Sequence, residues 1–292
     1  MSVQSSSPSR IESLLVMYAR RFPIRRGKLR VINSLWRAAA GDRGTRRLAV
    51  LKHGGFKMTC DLSQMIQRQF YFFGTYFLEE SLLGCWEKKA RGAKVILDVG
   101  ANAGIYSLVA LAMQPDVIVH AFEPTPEIAA HLRETAALNG LDHLRIHESA
   151  VFSENGQANL RRFRGESGDN EGMNFISAGA GEPGVERVQT VCLDQFCRDH
   201  AIGRINLLKL DIQGHEYNAL KGAERFLREG RIDTIFMELN WAANSAVECP
   251  ASESIALLEK TGYKFSAAGK YMNWKTSGAW MRSLSDMIAS RV

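Results

Sequence analysis

The sequence predicts an α/β fold in which a mostly parallel, Rossmann-like sheet is covered by helices on both faces. Apolar segments of strand length alternate with segments of helical spacing between residues 95 and 261, as in strand–helix–strand units. These strand segments are apolar almost throughout, which is typical of strands buried on both faces. The chain has 292 residues, of which 46% are hydrophobic, and this suffices for one large domain with an N-terminal extension.

The sequence divides into a basic extension at 1–70, made of helices and a hairpin, and a main domain at 71–292. Up to residue 90, the spacing of apolar residues predicts helices at 10–22, 31–40 and 75–90, and a hairpin at 49–62 that turns at Gly54-Gly55. Pro23 and a basic linker separate the first two helices, because proline cannot continue a helix.

The main domain carries the alternating pattern. It predicts strands at 95–99, 117–123, 205–212 and 233–240, and helices at 104–113, 125–139, near 214–228 and at 251–261. Two further segments, 144–152 and 157–163, flank Glu154-Asn155-Gly156, a combination typical of a β-hairpin.

Positive charge is concentrated near the start of the chain. The net charge is +6 and the isoelectric point about 9.1, and much of the basic excess lies between Arg20 and Lys52. Such a cluster can attract nucleic acid, anionic lipid or phosphorylated ligands, or can simply be solvated. We expect no nucleic-acid partner, because no recognised nucleic-acid module accompanies the charge. An anionic substrate or a membrane surface is the alternative to a solvated surface.

The sequence contains no evident targeting or membrane segment. No apolar run reaches the roughly 18–20 residues that cross a bilayer, and the polar first ten residues lack the apolar core of a signal peptide. We therefore expect a cytoplasmic protein. Its five cysteines lack the spacing of a zinc site or a redox pair, which predicts reduced thiols. The N-terminal helices could pair in a homo-oligomer.

The segment LDVGANAGIYSLVAL at 97–111 predicts a ligand-binding loop between a strand and a helix. A dinucleotide-binding loop would need glycine at 100, 102 and 105, but the chain has Asn102 and Ile105, which argues against a dinucleotide-dependent oxidoreductase. The spacing of Asp98, Gly100 and Gly104 suits S-adenosylmethionine, which has no pyrophosphate. Glycine would let the backbone approach this cofactor closely.

Two carboxylates suit the polar parts of that cofactor. Asp98 could hold its ammonium group directly or through water. Glu123 ends the next strand, nineteen residues after Gly104, where a carboxylate can accept hydrogen bonds from both ribose hydroxyls. Together they predict an S-adenosylmethionine site.

Five blocks of sequence carry a family resemblance: DVGANAGIYS at 98–107, FEPTP at 122–126, SAV at 149–151, KLDIQGHE at 209–216 with LKGAE behind it, and MELN at 237–240. From about residue 70 to 265 the chain resembles the FkbM-type methyltransferases. This resemblance implies a class I methyltransferase fold with a seven-stranded sheet, S-adenosylmethionine as cofactor, and methylation of hydroxyls on sugars, glycolipids or polyketide-type products. The family's fourth motif usually has an acid where this chain has Gln213.

The blocks indicate which residues to expect at the cofactor: Asp98, Gly100, Ala101, Asn102, Gly104, Tyr106, Ser107, Glu123, Pro124, Ala150, Val151 and Asp211.

Candidate catalytic residues follow the later strands. Asp211 and Glu238 stand at strand ends, and His215 lies at the start of the next helix. Each could assist deprotonation of an acceptor hydroxyl, and Asn240 could bind that acceptor. Asp211 and Glu238 could also hold magnesium, which prefers carboxylates and water, although we favour a site without metal.

Residues 164–185 contain six glycines and no regular period. A loop this long in a compact domain is usually functional or disordered. We interpret it as a lid over the acceptor, with Asn170, Asn174 and Ser177 available for hydrogen bonds to a polyol.

The leading hypothesis is an O-methyltransferase for a hydroxyl on a sugar, a glycosylated metabolite or a polyketide-type product, and thus a role in glycan or natural-product biosynthesis. Its partner would be a small-molecule or glycan acceptor. Two alternatives stay open at this point: N-methylation of a small-molecule amine or amide, and a non-catalytic cofactor-binding protein.

Overall fold

The computed structural model describes residues 9–23, 27–40, 46–161, 175–177, 185–240, 251–267 and 284–291. The helices are α1 (Arg10–Arg21), α2 (Lys28–Ala40), α3 (Met65–Phe73), α4 (Glu80–Ala90), α5 (Ile105–Met113), α6 (Pro126–Asn139), α7 (Leu193–Asp199), α8 (Glu216–Lys221), α9 (Glu224–Arg228) and α10 (Ala251–Lys260), with a short 3-10 helix at Phe77–Glu79. The strands are β1 (Arg46–Val50), β2 (Lys57–Asp61), β3 (Val95–Val99), β4 (Ile118–Phe122), β5 (Leu144–His147), β6 (Ala150–Phe152), β7 (Gly156–Arg161), β8 (Phe175–Ser177), β9 (Val185–Cys192), β10 (Ile205–Leu210), β11 (Ile232–Asn240), β12 (Tyr263–Ala267) and β13 (Leu284–Arg291).

The main sheet has seven strands in the order β12-β13-β11-β10-β3-β4-β5. The five strands from β11 to β5 run parallel to one another, and β13 runs antiparallel between β11 and β12. The prediction of a mostly parallel, seven-stranded sheet is confirmed. The order reverses between β3 and β10, and the carboxyl ends on either side of such a switch point form a ligand crevice.

Helices cover both faces of this sheet. Successive residues of one strand point to opposite faces, and here they enter different apolar clusters. Ile96, Leu207 and Phe236 pack with α3, α4 and α5, whereas their neighbours Leu97 and Leu208 pack with α7, α8, α9 and α10. This explains why the strands are apolar throughout.

A second sheet has the order β6-β9-β7-β8 and corrects one prediction. The segments on either side of Glu154-Asn155-Gly156 do not form a hairpin, because β9 lies between them, parallel to β6 and antiparallel to β7. The turn is held by β9 instead: Asn155 Oδ1 accepts from Cys192 N at 2.7 Å, and Glu154 O accepts from Thr190 Oγ1 at 3.0 Å. The predicted strand at 144–152 also splits into β5 and β6, which belong to different sheets.

In the N-terminal part, the predicted hairpin at 49–62 is confirmed as the antiparallel pair β1–β2. The Asn139 amide ties it to the end of α6, donating to Lys57 O at 2.6 Å and accepting from Lys57 N at 2.7 Å. Helix α3 was not predicted. Leu15 of α1 and Trp36 of α2 share one apolar cluster with Ile96 of the main sheet, so the extension packs on the main domain.

Within the described ranges, no helix is both long and apolar enough to span a membrane. Cys60, Cys85, Cys192 and Cys197 are free thiols.

Candidate functional site

The loop after β3 holds its shape through its own backbone and that of β4. The N–H groups of Gly100 and Ala101 both donate to Phe122 O at 3.0 Å, and Gly104 N donates to Ala101 O at 2.8 Å. Gly100 has φ +72°, and a Cβ there would lie 2.0 Å from the carbonyl oxygen of Asp211. Glycine at position 100 therefore lets the β3 loop and the β10 loop touch.

Gly104 has a packing role that the sequence did not predict, and its contact with the cofactor stays a prediction. Its φ is +82°, and a Cβ there would lie 2.3 Å from Leu132 Cδ1 of α6. A side chain at 104 would strike this helix. The glycine is therefore required for helix packing and a left-handed turn, and Gly104→Val would test folding before it tested cofactor affinity.

Asp98 lies fully buried at the carboxyl end of β3. Its Oδ2 accepts from Ser107 N at 3.0 Å and from Ser107 Oγ at 2.6 Å, which fixes the first turn of α5 against the strand. Its Oδ1 accepts no hydrogen bond from the described chain and lies 3.7 Å from Lys209 Nζ. Asp98 thus holds the loop in place through Oδ2, and its Oδ1 faces the Lys209 ammonium group.

Glu123 follows β4 and is 6% exposed. Its Oε2 accepts from Asn102 N at 3.0 Å and its Oε1 from Thr125 N at 2.9 Å. Burial raises the pKa of this carboxyl above its ordinary value, although these hydrogen bonds oppose the shift. Each oxygen keeps acceptor capacity, since a carboxylate offers about four acceptor positions. The geometry is compatible with the predicted ribose contact.

We expect Glu123→Ala to lower the affinity for adenosylhomocysteine at least tenfold, or about 1.4 kcal/mol. The variant removes both the expected ribose acceptor and the acceptor that orients Asn102. Calorimetry on the folded variant measures the effect, with Glu229→Ala, an exposed carboxylate at the end of α9, as the matched control. Unchanged affinity in Glu123→Ala would remove this residue from the cofactor site.

Lys209 is the main residue of the site that was not predicted. It is 6% exposed in β10 and pairs in register with Asp98 of β3. Its Nζ lies 3.3 Å from Asp211 Oδ2, donates to Gly100 O at 3.0 Å and sits 4.9 Å from the centre of the Tyr106 ring. Burial alone would lower the pKa of Lys209, but Asp211, Asp98 and Glu79 together raise it above its ordinary value. The lysine is therefore charged and joins the two loops.

Two tyrosines, Tyr76 and Tyr106, lie beside Glu79, the last residue of the 3-10 helix. The Tyr106 hydroxyl donates to Glu79 Oε2 at 2.5 Å, and Trp86 donates from Nε1 to Tyr106 O at 2.9 Å. Burial, with the negative charges of Glu79, Asp211 and Glu238, raises the pKa of Tyr76. The Tyr76 phenol therefore stays protonated at neutral pH and can donate a hydrogen bond.

A shallow cleft opens at the carboxyl ends of β10 and β11. It is lined by Glu79, Leu82, Tyr106, Lys209, Leu210, Asp211, Phe236, Met237 and Glu238. Gln213 has φ +53°, and its Nε2 donates to Asp211 Oδ1 at 3.1 Å and to Glu238 Oε2 at 3.2 Å. An amide at 213 thus bridges two carboxylates that a third acid would repel.

The structure brings Asp211 and Glu238 together but places His215 elsewhere. His215 is buried, with Nδ1 3.2 Å from Asn218 Nδ2 and its ring 6.0 Å from that of Phe152, and it does not line the cleft. A buried histidine on the β6 side is poorly placed to reach an acceptor in the cleft. Asp211 is the better candidate base.

Glu216, beside His215, is 1% exposed. Its Oε1 accepts from Gly214 N at 3.1 Å and from Ile212 N at 3.4 Å, whereas Oε2 has no hydrogen-bond partner in the described chain. Burial raises the pKa of Glu216 to about 7, and Asp211 adds to the shift. The residue holds the backbone that presents Asp211.

This raised pKa predicts a pH-dependent stability. The folded chain binds the Glu216 proton more tightly than the unfolded chain, so stability falls as pH rises from the ordinary value toward about 7. We expect the free energy of unfolding of the wild-type chain to fall by about 2–3 kcal/mol between about pH 5 and pH 8 because of this residue. The Glu216→Gln variant should lack this decrease. Urea unfolding at both pH values measures it, with Glu229→Gln as control. An equal pH dependence in wild type and Glu216→Gln would contradict the assignment.

The other predicted residues are distributed as follows. Pro124 is half-buried between Glu123 and α6, and Ala150 and Val151 are buried in β6. Asn240 ends β11, in register with Leu284, and Ser177 lies in β8, in register with Asn159. The segment 164–185, which we predicted to be a lid, therefore includes a strand, and its role as a lid stays a prediction. Asn170 and Asn174 fall outside the described residues, so their contact with the acceptor stays a prediction.

Among the described residues, no group of three or more His, Cys, Asp or Glu side chains is arranged to hold a metal ion. Around Asp211 and Glu238 the neighbouring groups are N–H donors from Lys209 and Gln213. The expectation of a site without metal therefore stays a prediction.

Comparison with known proteins identifies the family. The model of the methyltransferase FkbM domain matches residues 98–265, more than half of the chain. The chain is 29% identical over 151 residues to 2-O-methyltransferase NoeI of Sinorhizobium fredii, covering 47% of this chain and 60% of that protein. It is 30% identical over 159 residues to 31-O-demethyl-FK506 methyltransferase FkbM of Streptomyces tacrolimicus, covering 46% and 61%. The chain thus spans about three fifths of the length of these relatives.

Among solved structures, a SAM-dependent methyltransferase from Agrobacterium tumefaciens is similar at 10% identity and a TM-score of 0.43, over 85% of this chain and 70% of that one. A likeness at this level adds nothing to the family assignment. The domain match is continuous and spans the glycine loop, Glu123, Asp211 and Glu238. The chain belongs to the FkbM methyltransferase family.

Proposed function

We propose that this protein is an S-adenosylmethionine-dependent O-methyltransferase that acts on a hydroxyl of a sugar, a glycosylated metabolite or a polyketide-type natural product. The observation that carries the proposal is the cleft beside the β3 loop, where Asp211 and Glu238 lie next to the apolar side chains of Leu82, Phe236 and Met237. The names of both relatives contain an O-methyl position, which supports an oxygen acceptor.

The residues of the loop fit the cofactor. Glu123 offers buried carboxylate oxygens for ribose, and Asp98 Oδ1 has no hydrogen-bond donor in the described chain. Gly100 lets the loop after β3 lie against the backbone of Asp211. When bound, S-adenosylmethionine would supply an electrophilic methyl group on a sulfonium.

The cleft supplies the acceptor chemistry. Methyl transfer forms an oxygen–carbon bond as the sulfur–carbon bond breaks, and the hydroxyl proton must go to a base. Asp211 is 29% exposed at its side chain, held by Lys209 and Gln213, so a carboxylate oxygen is fixed and accessible. Positioning of acceptor oxygen and methyl carbon accounts for most of the remaining rate gain.

One observation favours an amine acceptor as the second candidate. Glu79, Asp211 and Glu238 place three carboxylates around one cleft, against the single positive side chain of Lys209 in its described lining. A protonated amine would be attracted there. It would have to lose a proton before it could attack, so Asp211 would again be needed unless the amine binds neutral.

Calorimetry followed by a turnover assay tests the proposal. The chain should bind adenosylhomocysteine and not NAD, and it should release adenosylhomocysteine from S-adenosylmethionine only with a hydroxyl acceptor present. A panel of oligosaccharides, macrolide polyketides and small amines locates the acceptor class. Binding without turnover on any acceptor would favour a non-catalytic cofactor-binding protein, and turnover on amines alone would favour N-methylation.

A further inference from the structure

The first 60 residues differ strongly in charge from the rest of the chain. Residues 1–60 contain thirteen Lys and Arg but only two Asp and Glu, whereas residues 61–292 contain 24 and 29. One of the two acids, Glu12, is buried, and its carboxylate accepts from Arg47 Nε at 3.1 Å and Nη2 at 2.9 Å. The other, Asp42, lies outside the described ranges. The described surface of residues 9–60 therefore presents arginine and lysine and no carboxylate.

The same region holds most of the large apolar side chains that are exposed in the described chain. Ten large apolar residues of the described chain are exposed, and eight of them lie between Ile11 and Val50. On α1 the outward row is Arg10, Leu14, Met17 and Arg21, a spacing that aligns them along one side of the helix. Leu14 is 59% exposed and Met17 45%.

Helix α2 and strand β1 repeat this combination. Val31 and Leu35 are exposed at 45% and 50% on α2, beside exposed Arg30. Leu48 and Val50 alternate outward on β1. Folding does not require these side chains to be apolar, because the opposite faces of α1 and α2 already fill the core.

We propose that the outer faces of α1, α2 and β1 form a docking face for an anionic lipid bilayer. Aliphatic side chains flanked by arginines are the composition of helices that lie in a bilayer interface. Arginine keeps its charge at the headgroups while its stem lies against apolar surface. A second copy is a poor occupant because two such faces repel. Nucleic acid would satisfy the charge and leave Leu14, Met17 and Leu35 in water.

The docking face connects to the cleft through α3. The chain runs from α3 into Phe77–Glu79, Phe73 stacks on Phe77 at 4.3 Å, and Gln69 Oε1 accepts from Leu78 N at 3.2 Å. Glu79 at the end of this segment lines the cleft. Helix α1 and strand β1 pack on α3, and Arg20 Nε donates to Phe72 O at 3.2 Å, so a bilayer on the docking face would lie against elements that contact this helix.

Vesicle flotation with the full-length chain tests the docking face. Vesicles of zwitterionic phosphatidylcholine are compared with vesicles that contain about 30 mol% anionic phosphatidylglycerol. We expect at least tenfold stronger binding to the anionic vesicles, reduced but not abolished between about 0.1 M and 0.5 M salt. Equal weak binding to both would overturn the proposal.

Two pairs of substitutions separate the contributions of apolar surface and of positive charge to vesicle binding. Leu14→Gln with Leu35→Gln removes apolar surface at constant charge, and Arg21→Gln with Arg30→Gln removes charge. Each pair should weaken binding to anionic vesicles about tenfold or more. Exposed residues elsewhere provide the controls, Leu138→Gln for the first pair and Arg91→Gln with Arg198→Gln for the second. The controls should bind as wild type does. Thermal unfolding verifies that every variant is folded.

Three further results would overturn the proposal. Loss of binding in the arginine pair alone would show adsorption by charge without an inserted apolar face. Self-association that the leucine pair abolishes, without vesicle binding, would assign the face to a second copy. Tight binding of an oligonucleotide but not of vesicles would assign it to nucleic acid. None of these outcomes depends on methyltransferase activity.

Discussion

Turnover by the Asp211→Asn variant should fall by roughly a hundredfold or more, the usual contribution of a general base. Asparagine has nearly the same shape and can still accept from Gln213, which bonds Asp211 Oδ1 at 3.1 Å. It cannot take a proton from a hydroxyl. The turnover number with saturating cofactor and acceptor measures the loss, and the affinity for adenosylhomocysteine should change much less.

His215→Gln is the matched control for this prediction. His215 was an alternative base on sequence grounds, but the structure buries it beside Asn218 and Phe152, away from the cleft lining. Its variant should keep turnover within a few-fold and retain the pH–rate profile. A large loss in His215→Gln together with near wild-type turnover in Asp211→Asn would reverse the assignment. Near wild-type turnover in both would indicate an acceptor that binds as a neutral amine.

Local signals in the sequence were sufficient to predict the four central strands of the main sheet, β4, β3, β10 and β11, but not β12 and β13 at its edge. Each central strand is an apolar run with a definite end, such as Gly100 after β3 or Glu123 after β4, and Gly140 in the left-handed region ends α6 as its sequence suggests. The same ends carry Asp211 and Glu238. Because parallel strands bring their carboxyl ends to one edge, these residues could be assigned to one site from sequence alone.

Features that depend on distant contacts were missed. Helix α3 has no clear apolar period because its polar residues are buried too: Gln67, Arg68 and Gln69 all bond to backbone groups of neighbouring segments. Strand β9 pairs with segments that lie 24 to 40 residues before it in the sequence, from Arg161↔Val185 to Ala150↔Thr190, so the local turn signal at Glu154-Asn155-Gly156 was misleading.

Lys209 is the most informative of the residues that the sequence analysis did not assign to the site. A lysine inside the apolar run INLLKL was itself a signal, since an unpaired buried charge is costly. Its partners could not be read from the sequence, because Asp98 lies on a different strand and Glu79 on a separate 3-10 helix. Only the register of β3 and β10 shows that the Lys209 ammonium contacts both Asp98 and Asp211.

We expect Lys209→Met to destabilise the fold by about 3–5 kcal/mol, the usual cost of removing one partner from a buried ion pair. Methionine fills a similar volume but leaves the fully buried Asp98 without its cation and removes the bond to Gly100 O. Urea unfolding measures the loss. Lys221→Met, at an exposed lysine paired with Glu224 on the protein surface, is the control, with an expected effect below about 1 kcal/mol.

The pH dependence of this effect distinguishes an ion pair from simple packing. Since folding raises the pKa of Lys209, the folded chain holds its proton more tightly than the unfolded chain. The stabilisation is therefore complete below the unfolded pKa, about 10, and is lost only as pH rises through the folded value. The difference between wild type and Lys209→Met should stay constant from about pH 6 to pH 9.

A double variant completes the test. If Lys209 acts by compensating Asp98, then Asp98→Asn together with Lys209→Met should cost less than the sum of the two single changes, because the second change removes the charge that the first leaves buried. The asparagine of this variant could still accept from the Ser107 hydroxyl, as Asp98 Oδ2 does at 2.6 Å. Strict additivity of the two losses would show that Lys209 is retained for its contacts with Gly100 and Tyr106 and not for charge compensation.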